Sequence, residues 1–132
     1  MNSSTRSTAM GYAVTVSETF VAQHHLTVPD AGPEGVPHSH TFTVEATFGG
    51  PELGEYGYLL DIDDATAALS TTAARYRDVT LNDHLDGNPS CERLAAAIHA
   101  DLRVAVDAPA VEELVVSVHE DDTATVTYVA PF

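Results

Sequence analysis

Pro37-His38-Ser39-His40-Thr41-Phe42-Thr43-Val44-Glu45-Ala46 opens on two histidines at i and i+2 and runs on as a polar/apolar alternation. In a β-strand, alternate side chains share a face. His38 and His40 therefore project side by side, about 6–7 Å apart along the strand. That spacing suits two imidazoles converging on one metal ion. Whether the pair is a ligand pair depends on a third ligand and a pocket supplied from elsewhere in the chain.

Upstream, Pro29, Gly32, Pro33, Gly35 and Pro37 mark 27–37 as a loop, with Glu34 four residues before His38. Before it, the β-branched and aromatic stretch from Tyr12 to Leu26 reads as a strand. Phe20, Ala22, His24 and Leu26 fall on one face of it, and Val21, Gln23 and His25 on the other. Pairing this strand with the one from His38 to about Phe48 sets His24 opposite His38 and His40. Neighbours on one face of adjacent strands lie about 4.5–5.5 Å apart at Cβ. Three imidazoles with an open fourth position describe a catalytic zinc site better than a structural one. Neutral imidazole also suits copper, iron or nickel. His25 is the competing ligand, but alternation sends it to the opposite face.

Downstream, Asp61 is a helix N-cap followed by Asp63 and Asp64, where the helix dipole favours negative charge. The helix extends to about Arg75, with Ile62, Ala65, Leu69, Ala73 and Tyr76 as its apolar positions. Residues 77–87 are polar and irregular. A second helix is capped by Asn88 or Ser90, carries Pro89 at its start and ends by Pro109. Its buried stripe is Leu94, Ile98, Leu102 and Val106; His99, one position from the stripe, is expected to be exposed. Val111 to Glu120 and Thr123 to Val129 form a hairpin turning at Glu120-Asp121-Asp122. The predicted order is ββααββ: one α+β domain over 11–132, preceded by a Ser/Thr-rich tail over 1–10. Consecutive strands pair antiparallel and the helices cover one face.

Composition limits the function. The 132 residues contain 20 acidic side chains against five arginines and no lysine, a net charge of −15. Such a chain lacks the basic surface that nucleic-acid binding needs and is repelled by anionic membranes. A triphosphate would meet the same repulsion unless a metal or a few arginines offset it locally. No apolar run approaches the ~20 residues of a membrane span. The lone Cys91 cannot form an internal disulfide, which points to a cytoplasmic protein.

Several segments, in order, resemble the 6-pyruvoyl-tetrahydropterin synthase and 6-carboxy-tetrahydropterin synthase family. Phe20-Val-Ala22-Gln-His24-His-Leu26 resembles its F-x-A-x-H-x-L motif. His38-Ser-His40 resembles its H-G-H, and Gly57-Tyr-Leu-Leu-Asp61 its G-x-V-x-D. Leu81-Asn82-Asp83 and Asn88-Pro89-Ser90-Cys91-Glu92-Arg-Leu94-Ala95 resemble L-N-D and N-P-T-S-E-x-L-A, and Val118-His119-Glu120 resembles V-x-E. The resemblance implies a tunnelling fold (T-fold), a four-stranded antiparallel sheet with two helices on one side. It also implies assembly into homo-oligomeric trimers or hexamers with active sites at subunit interfaces. It implies zinc held by His24, His38 and His40, and a small-molecule pterin-like substrate whose guanidine-like edge is held by Glu120. A carboxylate accepts two parallel hydrogen bonds from such an edge. Ser90, Cys91 and Glu92 would line the same pocket.

The family's proton-transfer groups are replaced here. No cysteine precedes His38, and Arg77-Asp78-Val79 stands where the family has L-D-H. Some family members carry glutamate in place of the cysteine and cleave dihydroneopterin side chains to 6-hydroxymethyl pterins. Glu34 is the candidate for that base, and His84 the candidate for a displaced relay histidine. Cys91 reads as pocket wall, although a helix N-terminus can lower a thiol pKa; His119 alternates to the other face and reads as structural. The implied activity is that of a zinc-dependent carbon–oxygen or carbon–carbon lyase acting on the side chain of a dihydroneopterin-like compound. The same residues also fit a member repurposed to another substrate in a secondary-metabolite pathway, or a non-catalytic zinc- and pterin-binding module.

Overall fold

The alternation from His38 onward becomes an unbroken strand in the computed structural model, which describes residues 11–132. The tail expected over 1–10 lies outside the described residues. The elements are β1 (Tyr12–His24), β2 (His38–Gly50), α1 (Ile62–Ala74), α2 (Cys91–Ala105), β3 (Glu113–Glu120) and β4 (Ala124–Pro131), with short 3-10 turns at Gly32–Gly35 and Leu81–Asp83. All four strands form one antiparallel sheet in the order β1-β2-β3-β4. This is the ββααββ arrangement expected from the sequence.

Alternation divides the sheet into two unlike faces. Phe20, Ala22, Phe42, Val44, Ala46, Phe48, Leu114, Val116 and Val118 point to the helices and are buried. Fully burying each of the larger side chains contributes about 1.5–3 kcal/mol. The opposite face is hydroxyl-rich, with Thr15 and Thr47 Oγ1 2.7 Å apart, Thr19 and Thr43 3.0 Å apart, and Ser117 and Thr127 3.0 Å apart.

Helix α1 is capped as its sequence predicts: the Asp61 carboxylate accepts from the Asp63 and Asp64 amides. Ala65, Leu69 and Ala73 are buried, whereas Ile62, expected in the apolar stripe, is exposed at the first helical position. Helix α2 starts after Ser90, whose hydroxyl accepts from the Arg93 amide, and buries Leu94, Ile98 and Leu102. It ends at Ala105, before Pro109. His99 is a correction. It is 4% exposed, packed edge-on to Tyr128 of β4 at 5.1 Å between ring centroids. Ala95, His99 and Leu102 repeat at i, i+4 and i+7, so the buried arc of α2 is wider than one four-residue stripe.

The segment after α1 is irregular but stitched to the edge of β1. The Gln23 amide donates to the Val79 carbonyl at 2.9 Å, and the Asp78 amide to the Val21 carbonyl at 2.7 Å. Asn82 grips His25 through both backbone groups, its Oδ1 accepting from the amide at 3.0 Å and its Nδ2 donating to the carbonyl at 2.9 Å. Asn88 Oδ1 accepts from the Thr27 amide at 2.9 Å. These bonds end β1 at His24, before Leu26, and hold the chain that leaves the sheet beside the histidines.

Candidate metal centre

The β1–β2 register places His24 opposite His38, and Ala22 opposite His40. All three imidazoles therefore lie on the helix-covered face at one end of the sheet. Their ring centroids are 4.6 Å (His24–His38), 5.1 Å (His24–His40) and 4.8 Å (His38–His40) apart. Each residue offers a ligand atom, and these atoms all lie within 4.8 Å of one another.

The hydrogen bonds settle which nitrogens face inward. His24 Nδ1 donates to the Pro89 carbonyl at 2.9 Å and His38 Nδ1 to the Val36 carbonyl at 2.7 Å. A carbonyl only accepts, so the proton is on Nδ1 in both rings. His40 Nδ1 lies 2.6 Å from Asp121 Oδ2, a carboxylate oxygen, and carries its proton there too. All three Nε2 atoms are buried and have no hydrogen-bond partner. A buried polar atom without a partner is costly. Three of them converging, each with its lone pair directed inward, is the donor set of a tripodal metal site. Outer-sphere acceptors on the far nitrogen are what fix the tautomer of a metal-binding histidine. The residues thus fit a divalent metal, and histidine-only ligation suits zinc among others.

Electrostatics favour a neutral His24 and a charged Asp121. Burial holds His24 below the ordinary histidine range, against the opposing pull of the Pro89 carbonyl. The Thr41 amide donates to Asp121 Oδ1 at 2.9 Å, and this bond, then the one from His40, holds the Asp121 carboxyl below its ordinary value. Asp121 also takes a left-handed backbone at φ 52° and donates its own amide to the Thr41 carbonyl at 2.7 Å. The sequence presents it only as the second residue of a hairpin turn, and the role at His40 went unread. The single available signal was an acidic residue directly after a strand that pairs with the His40 strand.

Glu120 pairs with Phe42 across β2 and β3 and points to the same face. Its Oε2 lies 3.7 Å from His40 Nε2 and accepts from Cys91 Sγ at 3.3 Å. Burial, reinforced by the Glu120 carboxylate, pushes the Cys91 thiol up to about 12. This reverses the lowering expected at a helix N-terminus: the nearby negative charge and desolvation outweigh the dipole. Cys91 is a protonated S–H donor beside Glu120. The Ser90 hydroxyl is engaged as the α2 cap, and Glu92 is exposed in the first turn.

The proton-transfer candidates sit differently. Glu34 is exposed on the Gly32–Gly35 turn, and its carbonyl accepts from the Leu26 amide at 2.8 Å. The loop that carries it is thus tied to the chain two residues beyond His24 at one end, and at the other its Val36 carbonyl holds His38. His84 is exposed at the end of the Leu81–Asp83 turn, edge-on to Tyr76 at 6.4 Å between ring centroids, and does not join His24, His38 and His40.

The family model described as 6-pyruvoyl tetrahydropterin synthase matches residues 13–131. The chain belongs to this family. Its fold is also that of solved members. The 6-pyruvoyl tetrahydropterin synthase of Caenorhabditis elegans aligns with a TM-score of 0.73 at 17% identity, covering 91% of this chain and 97% of that one. The Plasmodium falciparum enzyme aligns with a TM-score of 0.78 at 14% identity, covering 92% and 98%. A Plasmodium vivax enzyme altered at a catalytic glutamate aligns with a TM-score of 0.77 at 14% identity, covering 92% and 98%. No curated protein sequence gives a significant match to this chain.

Proposed function

We propose that this family member is a zinc-dependent lyase that shortens the side chain of a dihydroneopterin-like compound, with Glu34 as its base. The observation that carries the reading is the set of three buried, unpartnered Nε2 atoms of His24, His38 and His40. A metal held there supplies Lewis-acid polarisation of a substrate oxygen. The chain's own groups supply the rest.

Glu120 receives the guanidine-like edge of the bicyclic ring in two parallel hydrogen bonds. Cys91, bonded to Glu120 at 3.3 Å, orients that carboxylate. Glu34 accepts the proton of an outer side-chain hydroxyl; the neighbouring carbon–carbon electron pair passes to the ring-side carbon, which takes that proton back from the Glu34 carboxyl, and the outer fragment leaves as an aldehyde. The glutamate altered in the Plasmodium vivax relative is named there as a catalytic residue, which supports a glutamate in this role. His84 is the alternative proton carrier, and its exposure beside Tyr76 favours it less.

We read the protein as a cytoplasmic homo-oligomer. Exposed Leu53, Tyr56, Tyr58 and Ile62, together with the open edge of β4, favour association of like chains. Zinc-loaded protein should convert 7,8-dihydroneopterin or its triphosphate to a shorter pterin, followed by mass spectrometry. Glu34→Gln should lower kcat by about 100-fold or more, within the 10²–10⁴-fold range of a general base, with zinc content unchanged. Absence of turnover on either pterin by folded, zinc-loaded protein would sink the reading.

A further inference from the structure

We propose a second reactive site, on the open face of the sheet and independent of the metal centre. Thr125, His119 and Glu45 form a nucleophile–base–carboxylate triad that takes the acyl group of a small carboxylic ester. The strand register sets Thr43, His119 and Thr125 side by side on that face, with Glu45 two residues along β2 from Thr43. The Thr125 hydroxyl lies 2.8 Å from His119 Nδ1, and His119 Nε2 lies 3.0 Å from Glu45 Oε1. A carboxylate oxygen only accepts, so the neutral ring carries its proton on Nε2 and its lone pair on Nδ1. Nδ1 therefore accepts from the hydroxyl. The bonds run in the sense that acyl transfer needs, from nucleophile to base and from base to carboxylate. The two ring nitrogens exchange places relative to a serine–histidine–aspartate triad, and the roles of the three groups stay the same.

Neighbouring hydroxyls show what is particular to Thr125. Thr15 and Thr47 bond one another at 2.7 Å, Thr19 and Thr43 at 3.0 Å, and Ser117 and Thr127 at 3.0 Å. A hydroxyl paired with another hydroxyl has no base to take its proton. Thr125 is bonded to an imidazole, is exposed, and lines a cavity of about 440 Å³ with His119, Thr43 and Thr123. When Thr19 donates their shared bond, the Thr43 hydroxyl is free to donate to an acyl oxygen in that cavity. In the first step Oγ1 of Thr125 bonds to the acyl carbon, its proton passes to His119 Nδ1, and the carbonyl π pair moves onto oxygen. The Glu45 carboxylate stabilises the imidazolium and acts as a positioning residue. On collapse the bond to the leaving alcohol breaks, and that oxygen takes the proton from Nδ1. Acyl-Thr125 remains, and water cleaves it by the same sequence, returning the threonine. Thr125 is a secondary alcohol crowded by its own methyl, so the acyl group it accepts is small, of the size of acetyl.

The probe is p-nitrophenyl acetate, incubated with the zinc-loaded protein and followed by peptide mass spectrometry with fragmentation. An acetyl group should appear on Thr125 well ahead of Thr127, the hydroxyl on the same strand that has no imidazole. Thr125→Val should abolish that adduct. His119→Gln, with its fold checked by circular dichroism, should slow acetylation of Thr125 by about 100-fold or more, within the 10²–10⁴-fold range of a general base. Glu45→Gln keeps an acceptor for Nε2–H but not its charge, and should slow it by less. Ester hydrolysis at the metal centre leaves no adduct on Thr125, so the readout separates the two sites. Acetylation of Thr125 no faster than that of Thr127, or unchanged in folded His119→Gln, overturns the inference.

Discussion

Two histidine sites lie on opposite faces of the same sheet, a triad on β1 and β2 and the single His119 on β3, and they are opposites. On the helix-covered face, His24, His38 and His40 each spend Nδ1 on an outer acceptor and leave Nε2 bare. On the open face, His119 Nε2 donates to Glu45 Oε1 at 3.0 Å and its Nδ1 accepts from the Thr125 hydroxyl at 2.8 Å. His119 has a partner on both ring nitrogens and leaves neither bare. The difference teaches that the mark of a metal centre is not histidine content but an imidazole whose inner nitrogen the protein has declined to satisfy.

The sharpest way to break this contrast is to remove one histidine from each face. His38→Ala should weaken zinc binding by more than about 100-fold, beyond the 10–100-fold typical of an outer-sphere loss. His119→Ala should leave zinc affinity unchanged and shift stability by about 0–1 kcal/mol, as for an exposed ion pair. Competition against a chromogenic chelator reads the first, and urea unfolding the second. Equal losses of zinc from both variants would mean that the unsatisfied Nε2 atoms do not define the site.

A finer cut removes the support and keeps the ligand. Asp121→Asn preserves shape at the turn but replaces the carboxylate that receives the His40 proton. Zinc affinity should fall by about 10–100-fold. Its counterpart on the open face, Glu45→Gln, should leave zinc affinity where it was. If Asp121→Asn binds zinc as the parent does, the bond from His40 is packing and not part of the metal centre.

These two tests also divide what the sequence disclosed from what it concealed. The tripod was legible because a strand has a period of two: His38 and His40 share a face by position, and a hairpin register brings His24 to them. Glu120 followed from the resemblance and lies on that face. The outer sphere was illegible because it is assembled from distant backbone: the Pro89 carbonyl at the α2 cap, the Val36 carbonyl in the β1–β2 loop, and a carboxylate in a turn. Backbone carbonyls carry no residue identity, so no spacing rule finds them. The bond from the Cys91 thiol to Glu120 was hidden for a related reason. A helix terminus is visible in sequence, whereas the Glu120 carboxylate that overrides it arrives by tertiary folding. The four-stranded sheet and its two helices were legible almost to the residue, because binary patterning and the Asp61 and Ser90 caps all agree.

His99 supplies the smallest test and the missing control, a buried imidazole with no metal to serve. It is wedged between α2 and β4, 3.4 Å from the Ala130 carbonyl. Burial lowers its pKa below the ordinary value of 6.5, the Ala130 and Leu114 carbonyls oppose the shift, and Arg103 adds slightly to it. In the unfolded chain the ring titrates near 6.5, so below that pH the unfolded state holds more protons than the folded one. Stability therefore rises with pH through the window from the depressed folded value up to about 6.5, and is lost as pH falls through it. One proton limits the slope to about 1.4 kcal/mol per pH unit. His99→Leu removes this dependence and no other, so the difference between parent and variant in urea unfolding at pH 5 and pH 7.5 isolates it. The variant should lose less stability on acidification than the parent. Equal losses would show that burial alone does not keep an imidazole neutral here, and the neutrality of His24 would then need the metal to explain it.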